Sequence, residues 1–335
     1  MLLLLTNSID GTADVLVELC SARGVPVFRF NIDLWAKYRF AWTADGFVFR
    51  DPIGRSAESR EIEAVLWRRP SLHETPEWEG GSPDDRAATE AELQTIVREI
   101  ADWARARGRL RLIDPAGSRR VGRLAQMRVA RDFFSVPDWA VGWGVRWPAG
   151  RRMVKRLTAE AIGENRDRYI FVQSVESDRL APEWPWLLQE VAEGDRDATV
   201  LYVAGRSFGF AMERSRDELG VEDWRVRNTH HDDPWRPWSL PNGGAERIDA
   251  YMRRLGLRFG RLDFIVGGKD MVFLEVNPNG QFGWLDDPDG WPLHRAVLDA
   301  VLDPSSSIDG TAVTDERGRE PASDGRGRSE APEGV

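Results

Sequence analysis

The stretch FLEVNPNGQFGW, residues 273–284, places a carboxylate and an amide two positions apart inside an apolar segment. Side chains at positions i and i+2 of a β-strand point to the same face of a sheet. Glu275 and Asn277 should therefore project together, while Leu274 and Val276 face the other way. This spacing predicts two oxygen donors on one strand face, immediately before an Asn-Pro-Asn-Gly turn.

The preceding segment, GRLDFIVGG, adds a third oxygen donor, Asp263. A Gly-rich turn joins the two apolar segments, and a three-residue connection would pair Gly267 with Met271. In that register, Asp263 lies opposite Glu275 on the same face. Clustered oxygen ligands suit Mg²⁺, which prefers a few carboxylates together with waters and nucleotide phosphates. A hairpin with polar residues on its solvated face is the alternative, and spacing alone does not separate the two.

The N-terminal part of the chain has the pattern of a parallel α/β unit. The opening segment scans as a strand, a loop, a helix that ends at Gly24, and a second strand. A further strand in EIEAVLWRRP ends at Arg68 and Arg69, and a long helix follows behind Ser82 and Pro83, a start of the N-cap type. The first loop lacks G-x-G-x-x-G, so a Rossmann nucleotide site there is unsupported.

The second half combines short strands with two helices. We predict a helix in RLAQMRVARDF, strands in GRRMVKRL and WPWLLQEV, a hairpin around Gly205 and an amphipathic helix in GGAERIDAYMRRLGLRFG. This last helix leads into the strand pair that holds Asp263 and Glu275. From Pro304 the chain is rich in small, charged and proline residues and nearly free of large apolar ones, so we expect a disordered tail.

Composition narrows the class of protein. The 335 residues have a formal net charge of −9, so bulk electrostatics predict no nucleic-acid partner. The single cysteine, Cys20, excludes an internal disulfide framework, and we expect it to be a buried helix residue. No apolar stretch reaches transmembrane length, and the run in MLLLLTN is too short for a secretion signal. We therefore expect a cytoplasmic enzyme with no membrane partner.

The opening motif resembles the metal-binding end of ATP-grasp enzymes. Within that superfamily the chain is most similar to the microviridin-type peptide ligases, also called graspetide synthetases. D-F-I-V followed by F-L-E-V-N-P-N-G-Q-F-G-W carries the resemblance. Shorter matches follow in the order of that family: VFRFN at 27–31, WRRP at 67–70, LIDP before a helix, LLQEV at 187–191, DWR at 223–225 and RLGLRFG before the hairpin. Each short match is a weak signal, but their order together with the long motif is specific.

The resemblance implies an α/β ATP-grasp fold in which ATP lies between two α+β subdomains, behind a smaller N-terminal pre-ATP-grasp α/β domain. The expected parts are an N-terminal domain at 1–110, a central subdomain at 111–188, a C-terminal subdomain with the metal site at 189–303, and the disordered tail at 304–335. ATP and Mg²⁺ are the implied cofactors. Asp263, Glu275 and Asn277 are the implied metal ligands.

The resemblance also assigns residues to the nucleotide. By position, Lys155 in MVKRL is the strand lysine that contacts nucleotide phosphates. Gln189, Glu190 and Val191 are the hinge whose backbone reads the adenine edge. Without the resemblance, Lys155 would be interpreted as a surface lysine at a strand end, and Gln189 as part of an ordinary inner strand.

Two positions depart from the family pattern. Arg123 stands where the family commonly has a lysine at the head of the central helix. Its guanidinium can still bind phosphate, with fork geometry. Val200 stands where the family commonly has an arginine entering the hairpin after the hinge.

The implied reaction is the activation of carboxylates. ATP transfers its γ-phosphoryl group to a side-chain carboxylate of a ribosomal precursor peptide with a leader segment, and a Ser, Thr or Lys nucleophile then closes a macrocyclic ester or amide. Lys155, Arg123 and Arg225 are the residues implied to serve this chemistry. Arg68, Arg69 and Arg225 could also attract acidic side chains of the peptide or stabilise the acyl phosphate. A homodimer is expected by analogy with the family.

Two other functions fit the same residues. An ATP-grasp ligase of small molecules or amino acids would have the same metal site and differ only in its acceptor. A nucleotide-binding regulatory protein without turnover is favoured only by Val200. His230 and His231, beside two aspartates in NTHHDDP, have metal-ligand chemistry, yet adjacent loop residues seldom converge on one ion.

Overall fold

The computed structural model describes residues 1–72, 82–155, 157, 173–214, 235–268, 270–287 and 290–308. Within these ranges the chain folds into four β-sheets and six α-helices. None of the helices in these ranges combines the length and the apolar character that crossing a membrane requires. Short 3₁₀ segments occur at Ile32–Lys37, Ser59–Glu61, Ser177–Arg179, Gly283–Leu285 and Pro304–Ser306.

The N-terminal region alternates strands and helices. Its elements are β1 Leu2–Thr6, α1 Gly11–Ala22, β2 Val27–Asn31, β3 Arg39–Thr43, β4 Gly46–Arg50, β5 Ser56–Glu58, β6 Ala64–Trp67, α2 Pro83–Ala106 and β7 Leu110–Arg111. Strands β2, β1, β6 and β7 form a parallel sheet in that order, which confirms the predicted βαβ unit. Strands β3, β4 and β5 form a separate antiparallel sheet.

The first strand is buried on both faces. Leu2 and Leu4 pack in one core with α1, whereas Leu3 and Leu5 pack in another with α2. A continuous apolar run is what a parallel strand covered on both sides requires. Cys20 of α1 is fully buried, as predicted, and this burial raises the pKa of its thiol.

Side chains at the helix starts explain where α1 and α2 begin. Asp10 accepts a hydrogen bond from the Thr12 N–H at 3.2 Å and so caps α1. At α2, Ser82 accepts from the Asp85 N–H at 3.1 Å while the Asp85 carboxylate accepts from the Ser82 N–H at 3.1 Å. This reciprocal capping, with Pro83 in the first turn, confirms the helix start predicted from the sequence.

The central region contains a second, smaller sheet. Its elements are α3 Pro115–Arg120, α4 Arg123–Ala130, β8 Trp139–Gly142, β9 Arg151–Lys155, β10 Gln173–Glu176 and β11 Trp186–Gln189. The four strands are antiparallel, in the order β10-β9-β11-β8. Helix α4 and strands β9 and β11 lie in the segments where the sequence predicted a helix and two strands.

The C-terminal region contains the largest sheet. Its elements are β12 Arg196–Val203, β13 Arg206–Glu213, β14 Arg236–Pro237, α5 Gly244–Arg254, β15 Phe259–Gly267, β16 Asp270–Asn277 and α6 Leu293–Leu302. The antiparallel order is β14-β13-β12-β15-β16. The β12–β13 hairpin turns through Ala204 and Gly205, both at positive φ, which confirms the predicted hairpin. Helix α5 buries Ile248, Tyr251 and Met252 on one face, as its amphipathic pattern predicted.

The two faces of this largest sheet lie in different environments. One face, which includes Val200, Leu262 and Phe264, packs against α4 and α5 in an apolar core. On the other face, Leu201 and Phe259 pack with β1, α1 and α6. Polar side chains of β12, β15 and β16 lie further along this second face. The fold therefore brings the polar side chains of these three strands together on one face of the sheet.

The segment after α6 docks on the edge of the N-terminal sheet. The Ile308 N–H donates to the Leu110 carbonyl at 3.0 Å, and Ser307 pairs antiparallel with Arg111. An uncovered strand edge presents unpaired backbone groups. This segment therefore supplies hydrogen-bond partners to backbone groups along the edge of β7.

The disordered tail predicted from Pro304 is therefore wrong for residues 304–308. Ser306 is buried at 2% exposure. The composition of this segment misled the prediction because a few backbone hydrogen bonds and the packing of Ile308 against the N-terminal core are enough to hold it in place.

Candidate functional site

The β15–β16 hairpin holds Asp263 directly opposite Glu275, as the sequence predicted. The connection differs from the expected one. Gly267 pairs with Asp270 rather than with Met271, so the turn is one residue shorter. The predicted pairing at the turn is therefore wrong, although the pairing at the candidate site is right.

The pairing register of the hairpin changes between the turn and the candidate site. Phe264 pairs with Phe273, whereas Asp263 pairs with Glu275, so Leu274 is the additional residue of a β-bulge. Bulges bend a strand, redirect its side chains and are frequent beside active sites. Here the bulge lies next to the two carboxylates and determines that they face each other.

Asp263, Glu275 and Asn277 converge on one point. Asn277 Nδ2 lies 3.4 Å from Asp263 Oδ2 and 3.2 Å from Glu275 Oε1. The Asp263 and Glu275 side chains are 18% and 15% exposed, so they are mostly shielded but keep some contact with solvent. Two carboxylates and an amide form a donor set that fits Mg²⁺. Asn277 would have to present its Oδ1 to the ion, because its Nδ2 faces the carboxylates in this structure.

This donor set is not an all-protein metal cage. Among the residues that the structure describes, no group of three or more His, Cys, Asp and Glu side chains is arranged to hold a metal ion. Mg²⁺ commonly binds through one or two carboxylates and completes its shell with water and substrate phosphates. The composition of the site is therefore that of a metal shared with a phosphate ligand.

All four carboxylate oxygens of Asp263 and Glu275 have hydrogen-bond partners. Thr199 Oγ1 donates to Asp263 Oδ1 at 2.8 Å, and Arg261 Nη2 donates to Asp263 Oδ2 at 3.2 Å. Arg123 forms a hydrogen-bonded ion pair with Glu275 Oε2. Asn277 contacts the remaining oxygen, Glu275 Oε1. The formal charges of the two carboxylates and the two guanidinium groups cancel.

Arg261 is a residue of this site that the sequence reasoning missed. It lies two positions before Asp263 on β15, so the two side chains share a face. Its Nη1 donates to the Gln281 carbonyl at 3.1 Å, and its guanidinium lies 5.8 Å from the centroid of the Trp284 ring. The signal was available in GRLDF, because a strand period of two places this cation beside the carboxylate.

Helix α4 brings Arg123 to the site. Arg123 is its first residue, behind the N-cap Gly122. One turn further, Gln126 Oε1 accepts from the Val276 N–H at 3.0 Å, and its Nε2 donates to the Val121 carbonyl at 3.1 Å. This buried amide fixes the helix against β16. Sequence reasoning missed it because a helical glutamine gives no signal of burial.

The residues assigned to the nucleotide lie on the small antiparallel sheet. Lys155 ends β9 at 8% exposure and pairs with Leu187 of β11. Gln189 lies two residues beyond Leu187 and therefore on the same face. It is buried, and its Nε2 lies 3.6 Å from the Met127 sulfur of α4. That face is turned toward the helix that begins at Arg123.

Glu190 and Val191 follow directly after β11. The Glu190 N–H donates to the Asp138 carbonyl at 2.8 Å, and its carboxylate lies 3.2 Å from Arg152. Val191 is 38% exposed. The Glu190 N–H already has a hydrogen-bond partner within the protein. An adenine contact from this hinge would therefore come from the other backbone groups of residues 189–191.

The structure tests only one of the four remaining predicted residues. Arg225, His230 and His231 lie outside the described residues. Val200 is fully buried in the core on the face of the sheet opposite to Asp263. A side chain at this position does not reach the carboxylates, so this departure from the family pattern leaves the described site unchanged.

Arg68 and Arg69 lie at the carboxyl end of β6, and their environments differ. Arg68 is 2% exposed and pairs with Asp10 at 3.3 Å. The expected attraction of acidic peptide side chains is therefore wrong for Arg68, because its guanidinium is buried and engaged. Arg69 is half-buried with a φ of 49°, and its carbonyl accepts from Asn7 Nδ2 at 2.9 Å.

Comparison with known proteins rests on structure. No protein-family model and no curated protein matches the chain. The RiPP-associated ATP-grasp ligase of Chryseobacterium gregarium, solved in complex with ADP and a leader and core peptide, matches with a TM-score of 0.78 at 20% identity, over 92% of this chain and 98% of that chain. Macrocyclase MdnC from Microcystis aeruginosa, bound with precursor peptide MdnA, matches with a TM-score of 0.72 at 21% identity, over 90% of this chain and 99% of that chain.

An enzyme of a different kind has a related structure. The D-alanine–D-alanine ligase of Bacillus anthracis matches with a TM-score of 0.52 at 12% identity, over 91% of this chain and 96% of that chain. The chain thus has the ATP-grasp fold, which confirms the fold that the resemblance implied. At these identities the structural matches establish the fold, and the reaction has to be argued from the residues of this chain.

Proposed function

We propose that this chain is an ATP-dependent ligase that activates Asp or Glu side chains of a ribosomal precursor peptide and joins them to hydroxyl or amine groups, forming macrocyclic esters or amides. One observation carries the proposal: Asp263, Glu275 and Asn277 converge beside Arg123 and Arg261. The fold supports it, because structures with the same fold contain ADP and precursor peptides.

The donor set fits a Mg²⁺ ion shared with ATP. Asp263, Glu275 and Asn277 would hold the ion. When bound, Mg²⁺ neutralises charge on the β- and γ-phosphates and polarises the phosphorus under attack. Arg123 and Arg261 already offset the two carboxylates, so the site favours Mg²⁺ together with a nucleotide over the bare ion.

The reaction proceeds in two transfers. An acceptor carboxylate oxygen attacks the γ-phosphorus, the bond to the bridging oxygen breaks, and ADP leaves with the electron pair. A hydroxyl or amine then attacks the carbonyl carbon of the acyl phosphate, loses its proton, and inorganic phosphate departs. Both transfers place negative charge on phosphoryl oxygens, which fixed cations stabilise.

The cations proposed to face these oxygens come from separate elements. Arg123 begins α4, Arg261 lies on β15 and Lys155 ends β9. Holding them at fixed positions orients the phosphates without a covalent enzyme intermediate. Arg225 stays a predicted fourth cation, and the segment 189–191 stays the predicted adenine contact.

The acceptor is proposed to be a peptide that carries a leader. The Chryseobacterium gregarium structure contains both a leader and a core peptide, which supports this partner. A leader that binds away from the reacting residues raises the effective concentration of the reactive side chains. We place the reaction in the cytoplasm, and the homodimer expected by family analogy stays a prediction.

The domain division predicted from the sequence stays part of the proposal. Strand β7 lies across the predicted boundary at residue 110, and the small sheet ends with β11 at Gln189. The largest sheet begins at Arg196. Both predicted boundaries therefore fall one residue inside a strand, and the division into 1–110, 111–188 and 189–303 stays a prediction.

A ligase of small molecules or amino acids is the second candidate. The match to D-alanine–D-alanine ligase favours it, and it would use the same metal site with a different acceptor. A regulatory protein without turnover loses the one feature that favoured it, because Val200 lies in the core away from the carboxylates.

The deciding experiment combines purified enzyme, ATP and Mg²⁺ with a candidate precursor, which is a short peptide with repeated Thr and acidic residues sought among the genes beside this one. We expect the peptide to lose one water per ring, in a reaction that requires ATP and weakens when the leader is deleted. An unmodified peptide, together with ADP release driven by a free amino acid or small carboxylate, would establish the small-molecule ligase instead.

A further inference from the structure

Arg68 connects the N-terminal parallel sheet to the turn that follows the candidate metal ligands. It comes directly after β6, and it is 2% exposed although it carries a charge. Burying a charge is unfavourable unless partners offset it. The partners of this guanidinium therefore indicate what it positions.

One side of the Arg68 guanidinium is held by the N-cap residue and the first turn of α1. Its Nε lies 3.3 Å from Asp10 Oδ2, and its Nη2 donates to Thr12 Oγ1 at 3.4 Å. Asp10 is itself fixed, because it accepts from Thr6 Oγ1 and from the Thr12 N–H, each at 3.2 Å. The N-terminal sheet thus orients the guanidinium.

The other side of Arg68 holds the turn after β16. Its Nη1 donates to Asn279 Oδ1 at 2.8 Å and lies 3.2 Å and 3.5 Å from the Asn279 and Gly280 carbonyl oxygens. The Phe282 ring lies against the guanidinium, with its centroid 5.8 Å from Cζ. One planar group therefore engages both domains at once, which the compact ammonium of lysine does not reproduce.

This turn begins at a candidate metal ligand. The Gly280 N–H donates to the Asn277 carbonyl at 3.0 Å and closes the turn. A Cβ added at Gly280 would lie 2.8 Å from Arg261 Cβ and 3.3 Å from Asn277 Cβ. The turn therefore packs directly against both residues, and a displacement of the turn would move them.

We propose that Arg68 is a positioning residue for the metal site, which fixes the turn at 277–280 from the N-terminal sheet and so sets the direction of the Asn277 amide. This inference rests on the proposed Mg²⁺ and ATP site. Burial lowers the pKa of Arg68 to about 10 although Asp10 opposes the shift, so the guanidinium remains charged near neutral pH.

A second ion pair between the same regions provides a matched control. Arg23, at the end of α1, pairs with Asp299 of α6. Their side chains are 35% and 55% exposed, so this contact lies at the surface. Arg23→Lys therefore reports the general effect of weakening an arginine contact between these regions.

The test measures the Mg²⁺ concentration that half-saturates ADP binding by the full-length enzyme, using titration calorimetry. The variants are Arg68→Lys, Asn279→Ala and the control Arg23→Lys. Removing a group that orients a metal ligand typically weakens metal binding about 10- to 100-fold. We expect Arg68→Lys and Asn279→Ala to raise the half-saturating Mg²⁺ concentration about tenfold. ADP binding in EDTA should be unchanged, and Arg23→Lys should match the wild type.

Asn279→Ala removes only one side-chain acceptor and leaves the contact of Arg68 with Asp10, so it decides the question if Arg68→Lys does not fold. An Asn279→Ala response to Mg²⁺ equal to those of wild type and Arg23→Lys overturns the positioning role. Wild-type ADP binding that does not respond to Mg²⁺ overturns the proposed function and this inference together. The response of the wild type distinguishes the two failures.

Discussion

Arg123, the first residue of α4, forms an ion pair with Glu275 of β16, across 152 residues of sequence. The positive end of the helix dipole disfavours a cation in the first turn of a helix. The helix itself therefore does not explain an arginine there. The carboxylate offsets its charge, and a change at either residue alters the electrostatic environment of the other.

Asp263→Asn and Glu275→Gln should each abolish turnover and leave the fold intact. Each substitution keeps the size of the side chain and removes a charge proposed to hold Mg²⁺. Both side chains lie outside the apolar cores, so the melting temperature should change by only a few degrees. ADP release with peptide acceptor and thermal unfolding measure the two effects. Near-normal turnover in both variants would refute the metal assignment.

Arg123→Ala and Lys155→Ala should weaken ATP binding or slow phosphoryl transfer. A hydrogen bond to a charged group contributes about 1.5–3 kcal/mol, so each loss should be roughly 10- to 100-fold in kcat/KM. Arg123→Lys should retain most of the activity because it keeps a cation at the head of the helix.

Arg179→Ala is the control for these two variants, because Arg179 is exposed in the Ser177–Arg179 segment. Steady-state kinetics at varied ATP concentration separates binding from transfer. Small and equal effects at positions 123, 155 and 179 would mean that Arg123 and Lys155 do not face the phosphates.

Gly280→Ala should reduce both stability and activity. The new methyl group would meet Arg261 Cβ at 2.8 Å, and overpacking of this kind typically costs about 1–3 kcal/mol. Gly11→Ala is the control, since a Cβ there meets nothing within 4 Å. Chemical denaturation and ADP release compare the two variants. Wild-type values for Gly280→Ala would show that the turn has room to move.

The sequence predicted the facing carboxylates better than it predicted the hairpin that carries them. Alternation along the strands places Asp263 and Glu275 on one face, because both must leave the apolar core. Their direct pairing was predicted from a turn length that is wrong, and the bulge restores it. Alternation does not indicate where a strand contains the additional residue of a β-bulge. The shorter turn at Gly267 and the bulge at Leu274 therefore appeared only in the structure.

The residues that sequence reasoning missed or misassigned have partners distant in the chain. Arg68 looks like a surface arginine until Asp10 and Asn279 are seen to offset its charge. Gln126 likewise depends on the backbone of Val276 for its role. The spacing of residues in the sequence predicts which side chains share a face of one helix or strand. It does not predict which side chains meet between different elements.

Truncation after Asp303 should lower the melting temperature relative to truncation after Ile308. The shorter protein loses the hydrogen bond between the Ile308 N–H and the Leu110 carbonyl and uncovers the edge of β7. The loss of one or two backbone hydrogen bonds is on the order of 1–3 kcal/mol, which corresponds to a few degrees. Thermal unfolding of the two truncated proteins measures the difference. Equal melting temperatures would show that the docked segment contributes no stability.

Mg²⁺ and ADP should bind as a coupled pair. The two carboxylates and two guanidinium groups of the site cancel, so a bare ion enters without net attraction, whereas a nucleotide supplies negative phosphates. Linkage requires that ADP strengthens Mg²⁺ binding by the same factor by which Mg²⁺ strengthens ADP binding. We expect a factor of at least about ten, or roughly 1.4 kcal/mol.

Arg123→Ala should reduce this coupling factor. Loss of the guanidinium removes one positive charge from the site, so the bare ion binds more tightly while the phosphates lose a partner. Titration of Mg²⁺ with and without saturating ADP, in wild type and variant, measures the factor in each protein. If the wild type binds Mg²⁺ equally well with and without ADP, the metal and the nucleotide do not share this site, because a shared ion must contact the phosphates that would strengthen its binding.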